Sequence, residues 1–275
     1  MAERDFQNVG ETLALRCDTR IQLCGRLTVR IRGQRIESAL PGRQGRLLLA
    51  YLVAHRQRPL PRTELLDAVW PDSLPAAADA ALNALLAKLR AAVGSGGIVG
   101  KHDVQLLLPA DAWIDLEAAR EGLHRAESAV SLQDWTGAWG PSRVALHIAL
   151  RTFLSGYDAE WIDAIRRSVD DVLLRAHECV AVSGLALAGP ELASADRSGR
   201  ALVTLAPYRE SGYRLLMQVL AKQGNVAEAL LVYESLRQRL REELGANPAP
   251  ATQALHLRLL EGHGVPHIGG SDSGA

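Results

Sequence analysis

Six side chains in the first third of the chain have the chemistry of a nucleic-acid contact: Arg43, Arg46, Arg62, Asn83, Lys88 and Arg90. Guanidinium and ammonium groups neutralise phosphates and release counterions, which supplies affinity without sequence information. Arg, Lys and Asn can also read base edges through hydrogen bonds. Other chemistries find less support. The histidines at 55, 102, 124, 147, 177, 256, 263 and 267 form no His-Glu-x-x-His unit, and no Gly-x-Ser-x-Gly elbow occurs, so no catalytic residue is expected. His147 and His177 fall within helices and read as ordinary surface or core residues. Cys17, Cys24 and Cys179 are widely spaced and odd in number, which argues against a disulfide framework or a zinc site, and no cofactor is expected. The run GSGGIVGKH has the flavour of a phosphate-binding loop. It lacks the Gly needed at Ser95 and the Ser or Thr needed at His102, so it reads as a glycine-rich entry to a hairpin.

The elements that must position the six side chains lie in PGRQGRLLLAYLVAHRQRPLPRTELLDAVWPDSLPAAADAALNALLAKLRAAV. Three helices are expected, over 43–55, 61–70 and from Ser73-Leu74-Pro75 to about Val93. Proline is tolerated in a first helical turn, and Trp70-Pro71 forces a stop. Three helices of this spacing suit a helix-turn-helix reader. The pattern by itself also fits a plain three-helix core with no nucleic-acid role. At 100° per residue, Leu82, Leu86, Leu89 and Val93 share one side of the third helix. The opposite side is then Ala76, Ala77, Ala80, Ala84, Ala87, Lys88 and Ala91, with Asn83 and Arg90 on its shoulders. Alanine can touch a thymine methyl but donates and accepts nothing, so readout falls to Asn83, Lys88 and Arg90.

Ahead of these helices, IQLCGRLTVRIRGQRIES alternates Leu27, Val29 and Ile31 with Thr28, Arg30 and Arg32, the pattern of short strands broken at Gly25 and Gly33. After them, GSGGIVGKHDVQLLLPA fits two strands around a turn. From Asp111 helix follows helix, over 114–130, 133–150, 160–188, 192–206, 209–222, 226–244 and 251–260. The longest places Trp161, Ile165, Val169, Val172, Ala176, Cys179, Val180 and Ser183 on one side.

Net charge is zero, but residues 20–110 hold 13 Lys/Arg against 6 Asp/Glu, whereas 111–275 hold 16 against 21. A basic module joined to an acidic one is the footprint of a DNA-binding domain with a separate partner domain. No run of about 18 uncharged apolar residues suggests a membrane span, and the first residues lack a secretory pattern, so a cytoplasmic protein is expected. A 34-residue period is visible late in the chain. Tyr213 and Leu216 take the Trp and Leu places of a tetratricopeptide helix, Ala229 and Tyr233 the Ala-x-x-x-Phe places of the next, and Pro207 the closing proline of the preceding repeat. Gly199 is a poor match for that repeat's aromatic place.

PGRQGRLLLAYLV, RTELLDAVWPD and LLAKLRAAV resemble the winged helix of bacterial response regulators. Leu216-Met217, Ala221, Gly224, Glu228-Ala229-Leu230, Tyr233, Leu240, Glu243-Leu244-Gly245 and Pro248, with Asp115 and Trp161 upstream, resemble the bacterial transcriptional activation domain. Together they make the chain similar to the Streptomyces antibiotic regulatory proteins over about residues 20–262. The resemblance implies a mainly α fold with a small β component, an N-terminal winged helix-turn-helix over 20–110 and a tetratricopeptide-like helical domain over 111–262. Residues 1–19 and 263–275 are expected to be a lead-in and a tail. It further implies a transcriptional activator whose third helix lies in the major groove of double-stranded DNA. Arg46, Arg62, Lys88 and Arg90 are its preferred phosphate or base contacts, and RNA polymerase or another protein is the partner of the helical domain; a homodimer is left open. The wing departs from the family, with Asp103-Val104 before Gln105-Leu106 where Gly-Tyr before Arg-Leu is usual, and an aspartate there would repel phosphate. The alternative is a descendant that no longer reads DNA and uses the alanine face for protein packing or senses a ligand. The NTPase extension and phosphopeptide-binding domain of some larger relatives are absent from the sequence, so any switching is expected within these two domains.

Overall fold

The computed structural model describes residues 18–262. The expected tail, Cys17 and all of the lead-in except Asp18 and Thr19 lie outside the described residues. In chain order the elements are β1 (Arg20–Gln22), β2 (Thr28–Ile31), β3 (Gln34–Arg35), α1 (Gly42–Ala54), β4 (Leu60–Pro61), α2 (Arg62–Val69), α3 (Ala78–Val93), β5 (Ile98–Val99), β6 (Asp103–Leu106), β7 (Trp113–Ile114), α4 (Asp115–Ser131), α5 (Trp135–Ala149), α6 (Glu160–Leu187), α7 (Leu192–Leu205), α8 (Glu210–Lys222), α9 (Val226–Arg239) and α10 (Pro250–Leu260). No helix among the described residues is long and apolar enough to cross a membrane.

The chain forms two compact units, the first made of the residues up to Ala118 together with Arg151–Val169. Its first sheet has the order β3-β2-β1-β7, antiparallel except that β7 runs parallel to β1. Alternation drives one face inward, where Ile21, Val29 and Ile31 are buried. Helix α1 buries Leu47 through Val53 almost entirely, and α2 adds Leu65, Ala68 and Val69. A second sheet, ordered β4-β6-β5, closes the core with Leu60, Val104 and Leu106. The two-residue strands β4 and β7 were not expected. Proline is tolerated in β4 because that strand lies at a sheet edge.

The third helix opens later than expected, at Ala78 rather than near Ser73. Proline at 75 biases Leu74 away from helical angles, and Ala77 has no side chain with which to cap. The helix expected over 114–130 is present one residue later, as α4, because Trp113–Ile114 joins the sheet before it begins.

Asp115 ties this unit together. It is fully buried, and its carboxylate accepts the N–H groups of Leu23 (3.0 and 2.9 Å), Cys24 (2.8 Å) and Leu116 (2.9 Å). Burial pushes its carboxyl up, against the pull of those three N–H groups and of Arg151. Next to it the chain returns: Cys24 bridges to Phe153, Gly25 N–H donates to Thr152 O at 2.8 Å, and Leu154 N–H donates to Leu23 O at 2.9 Å. Trp161 then donates from Nε1 to Ala68 O at 3.0 Å and meets Tyr51 edge-on at 5.0 Å. The expected stripe along α6 is otherwise met, with Val169, Val172, Ala176, Cys179, Val180 and Ser183 buried.

The second unit, Ala119–Leu150 with the described residues from Asp170 onward, is helical. Leu216, Met217, Leu220, Ala229, Tyr233, Leu255 and Leu259 form one cluster, so the tetratricopeptide positions are core positions. Gly199 mismatches the repeat for a physical reason. A Cβ there would lie 3.2 Å from Leu216 Cα and Cβ, so α7 and α8 cross closely and a larger residue would have to push Leu216 aside. The expected helix over 226–244 is α-helical only to Arg239. It ends in a π-helical turn, Leu240–Leu244, and Gly245 in the left-handed conformation stops it.

Candidate nucleic-acid interface

Helix α3 has the two sides its sequence requires. Leu82, Leu86, Leu89 and Val93 are buried, whereas Ala80, Ala84, Ala87, Lys88 and Ala91 are exposed; Ala76 and Ala77, expected on the same face, are exposed in the turn that precedes the helix, because it opens only at Ala78. The glycine-rich run after it is a hairpin entry and not a phosphate loop. Gly94, Gly96 and Gly100 have positive φ angles, and β5 and β6 pair antiparallel. At Gly100 any Cβ would collide with the Asp103 carbonyl oxygen, so the turn of the wing requires glycine.

Two of the expected contact residues hold the wing and α3 in place. Arg62, at the start of α2, donates from Nη2 to Asn83 Oδ1 (3.0 Å) and Asp79 Oδ1 (3.3 Å), and from Nη1 to Lys101 O (3.5 Å). One guanidinium thus joins α2, the first turns of α3 and the wing turn. Arg90, in the last turn of α3, donates from Nε to Ile98 O (3.2 Å) and from Nη2 to Gly100 O (2.8 Å). Asn83 uses its carbonyl oxygen on Arg62, which fixes the amide so that its NH₂ is left as the donor. Lys88 is exposed and makes no hydrogen bond or ion pair among the described residues.

Arg43 and Arg46 belong to a different neighbourhood. Arg43 lies over the Tyr157 ring at 4.5 Å and donates to Gly156 O at 2.8 Å. Arg46 is exposed and lines a cavity with Arg26, Arg35, Glu37, Ser155 and Tyr157. The other basic residues of the helix connections are engaged within the unit. Arg56 makes a two-pronged pair with Glu117 at 2.7 and 2.8 Å. Arg58 pairs with Glu64, whose second partner is the Tyr51 hydroxyl at 2.6 Å. The Arg58 guanidinium, with help from that hydroxyl and against partial burial, holds the Glu64 carboxyl below the usual range.

Sequence reasoning assigned six side chains to one task, and the structure sorts them by partner. Arg62, Asn83, Arg90 and Lys88 come together along α3 and the wing. Asp79 and the Lys101 carbonyl complete that cluster; only the placement of an acid in the first turn of α3 could have hinted at the former. Among the described residues no group of His, Cys, Asp and Glu could hold a metal ion. His177 donates to or accepts from Ser198 Oγ at 3.1 Å inside the helical unit.

Comparison with known proteins agrees with this architecture. The pattern of the family described as transcriptional regulatory protein, C terminal, matches residues 39–101. That of the bacterial transcriptional activator domain matches residues 114–260. The regulatory protein AfsR of Streptomyces coelicolor is 32% identical over 221 residues, which cover 79% of this chain and 22% of AfsR. The chain therefore spans about a fifth of that relative's length. The transcriptional regulatory protein MoaR1 of Mycobacterium tuberculosis is 25% identical over 257 residues, covering 86% of this chain and 77% of MoaR1. Mycobacterium tuberculosis EmbR, solved in complex with a low affinity phosphopeptide, superposes with a TM-score of 0.76 at 22% identity, covering 91% of this chain and 67% of that one. That last likeness establishes a shared fold. With the activator-domain pattern over more than half its length, the chain belongs to the bacterial transcriptional activator domain family, and the winged helix ahead of that domain gives it the domain order in which it resembles regulators such as AfsR and MoaR1.

Proposed function

We propose that the protein is a DNA-binding activator of a bacterial gene cluster, acting in the cytoplasm. Residues 20–110 engage promoter repeats, and residues 111–262 contact RNA polymerase or a second copy of the chain. The observation that carries this reading is the exposed face of α3. Arg62 and Arg90 brace it against the wing, leaving the Lys88 ammonium and the Asn83 NH₂ for a duplex. With alanine over most of that face, base-edge hydrogen bonds are few. Selectivity then rests on thymine methyl contacts and on the shape and deformability of the site.

The test is fluorescence anisotropy on fragments of the protein's own genomic neighbourhood at about 50 and 200 mM salt. Fragment-selective binding with a steep salt slope is expected. Lys88→Ala should weaken all sequences alike and reduce the slope by about 1. Arg62→Ala should cost affinity through the loss of its brace. A folded protein that binds no fragment selectively at low salt overturns the reading. Activation is checked by transcription from a bound fragment with purified polymerase, with the full chain present and absent.

The alanine face itself favours one second reading, in which α3 packs closely against another protein and DNA binding is lost. In that case the mass of the chain on size exclusion exceeds that of a monomer, and an Ala84→Glu substitution returns it to the monomer value.

A further inference from the structure

The outer face of the first sheet carries an arrangement that neither the winged helix nor the helical unit uses. Strand register places Arg20 directly opposite Arg30, and Arg30 directly opposite Arg35, with Trp113 beside Arg20 on the parallel strand. Three arginines thus stand in one row across β1, β2 and β3. All three are exposed and line one cavity of about 150 Å³ with Gln22, Thr28, Glu37 and Trp113. Like charges directly opposite one another on neighbouring strands are destabilising. A row of three is therefore a cost to the sheet when nothing neutralises it.

Internal partners neutralise the row only at its ends. Arg20 lies over the Trp113 ring at 4.2 Å from its centroid. Arg35 donates from Nε and Nη2 to the Glu37 carboxylate at 3.2 and 3.3 Å. Glu37 also accepts the Val29 N–H at 2.9 Å, so its negative charge is committed to the edge of the site. Arg30, in the middle, makes no hydrogen bond or ion pair among the described residues. Arg30, with five donors on its guanidinium, lines the same cavity as Arg20, Thr28 and Gln22, whose Nε2 donates to the Arg26 carbonyl at 3.1 Å.

The geometry points to a pyrophosphate group, free or carried on a nucleoside, as the ligand of this row. Adjacent strands are about 4.8 Å apart, so the row spans about 10 Å from β1 to β3. Two linked phosphates present paired tetrahedral oxygens and about three negative charges to guanidinium groups, whose planar donor forks bind such oxyanions two-pronged. The site is bounded, by Trp113 at one end and the Arg35–Glu37 pair at the other, as suits a small anion more than a continuous polymer. A second cavity of about 470 Å³ shares Arg35 and Glu37 and adds Arg26, Leu27, Arg46 and Tyr157. It offers the room, the apolar wall and the further positive charge that the body of a nucleotide requires. Neutralising the row removes a repulsion within the sheet, so the ligand stabilises the winged-helix unit on binding.

The test uses the full chain, isothermal titration and thermal unfolding at matched ionic strength, with pyrophosphate and adenosine diphosphate as probes. Saturable binding is expected, with a rise in melting temperature. Arg30→Gln should weaken it at least about tenfold, in line with the loss of one charge-assisted contact. The same variant without ligand should melt no lower than the native chain, because it removes a repulsion and no partner. Tighter binding of adenosine diphosphate assigns the second cavity to the nucleoside; equal binding assigns the site to the free anion. Binding that is equal in Arg30→Gln and native protein, or absent from both, overturns the proposal. So does a result in which Arg30→Gln weakens duplex DNA binding and pyrophosphate does not bind, since the row would then contact a nucleic-acid backbone. Duplex binding weakened in Lys88→Ala, with its salt slope reduced, reports separately on α3, so the two readings fail independently.

Discussion

Asp115 is a buried carboxylate whose two oxygens serve three backbone N–H groups, from the end of β1 and the start of α4. A charge so placed is sustained by those bonds, and its amide analogue would turn an NH₂ toward donors. Asp115→Asn should therefore destabilise the chain by about 3 kcal/mol, the cost of stranding buried donors, read as a lowered denaturation midpoint. His177 gives a pH-dependent counterpart in the helical unit. Burial lowers its pKa, so the unfolded chain binds a proton that the folded chain refuses. Stability is then fully present above the ordinary histidine value of about 6.5 and declines as pH falls from there toward the folded value. Denaturation midpoints at about pH 7.5 and 5.5 should diverge in the native chain and converge in His177→Gln, which keeps a partner for Ser198. Cys179, beside it on α6, is buried with its thiol pushed up to about 12, chiefly by desolvation, and is held as an inert core residue.

At the scale of elements, the wing depends on one glycine and one arginine. Gly100 has φ +90° and no space for a Cβ, and Arg90 holds the Ile98 carbonyl of β5 and the Gly100 carbonyl where the turn opens. Gly100→Ala should cost about 1–3 kcal/mol in backbone strain and closure of the turn. Hydrogen exchange of the Val104 and Leu107 amides should speed up while α1 amides stay protected. Elements of this kind were unevenly legible in the sequence. The apolar periods of α1, α3 and α6 fix which side is buried, because only one rotation of each hides Leu82-Leu86-Leu89 or Val172-Ala176-Cys179 from water. The strands β4 and β7 could not be read, since two residues carry no period and their partners, β6 and β1, are remote in sequence. The candidate site was legible in residue type and not in pairing. Arg62 and Arg90 announce positive charge, but nothing in their spacing says that Asn83, Asp79 and the wing carbonyls receive it. The arginine row was hidden likewise, because Arg20, Arg30 and Arg35 are neighbours only through strand register.

At the scale of the whole chain, the winged-helix unit is discontinuous. Phe153 is fully buried there, bridged to Cys24, and Trp161 caps the Ala68 carbonyl. Phe153→Ala, though far downstream of α3, should destabilise this unit by about 3–5 kcal/mol through the cavity it leaves. The expected signature is faster exchange at the Leu23 and Cys24 amides, with Tyr213 and Leu216 amides in the helical unit unchanged. The excursion through Ala119–Leu150 also orders events at the ribosome. Chains emerge from the N-terminus, and non-local contacts form only once both partners exist. The surface that α3 offers is thus not finished when its own residues are translated; it waits for Arg151–Val169. A truncated translation product that stops short of that segment leaves Tyr51 without Trp161 and Leu23 without Leu154.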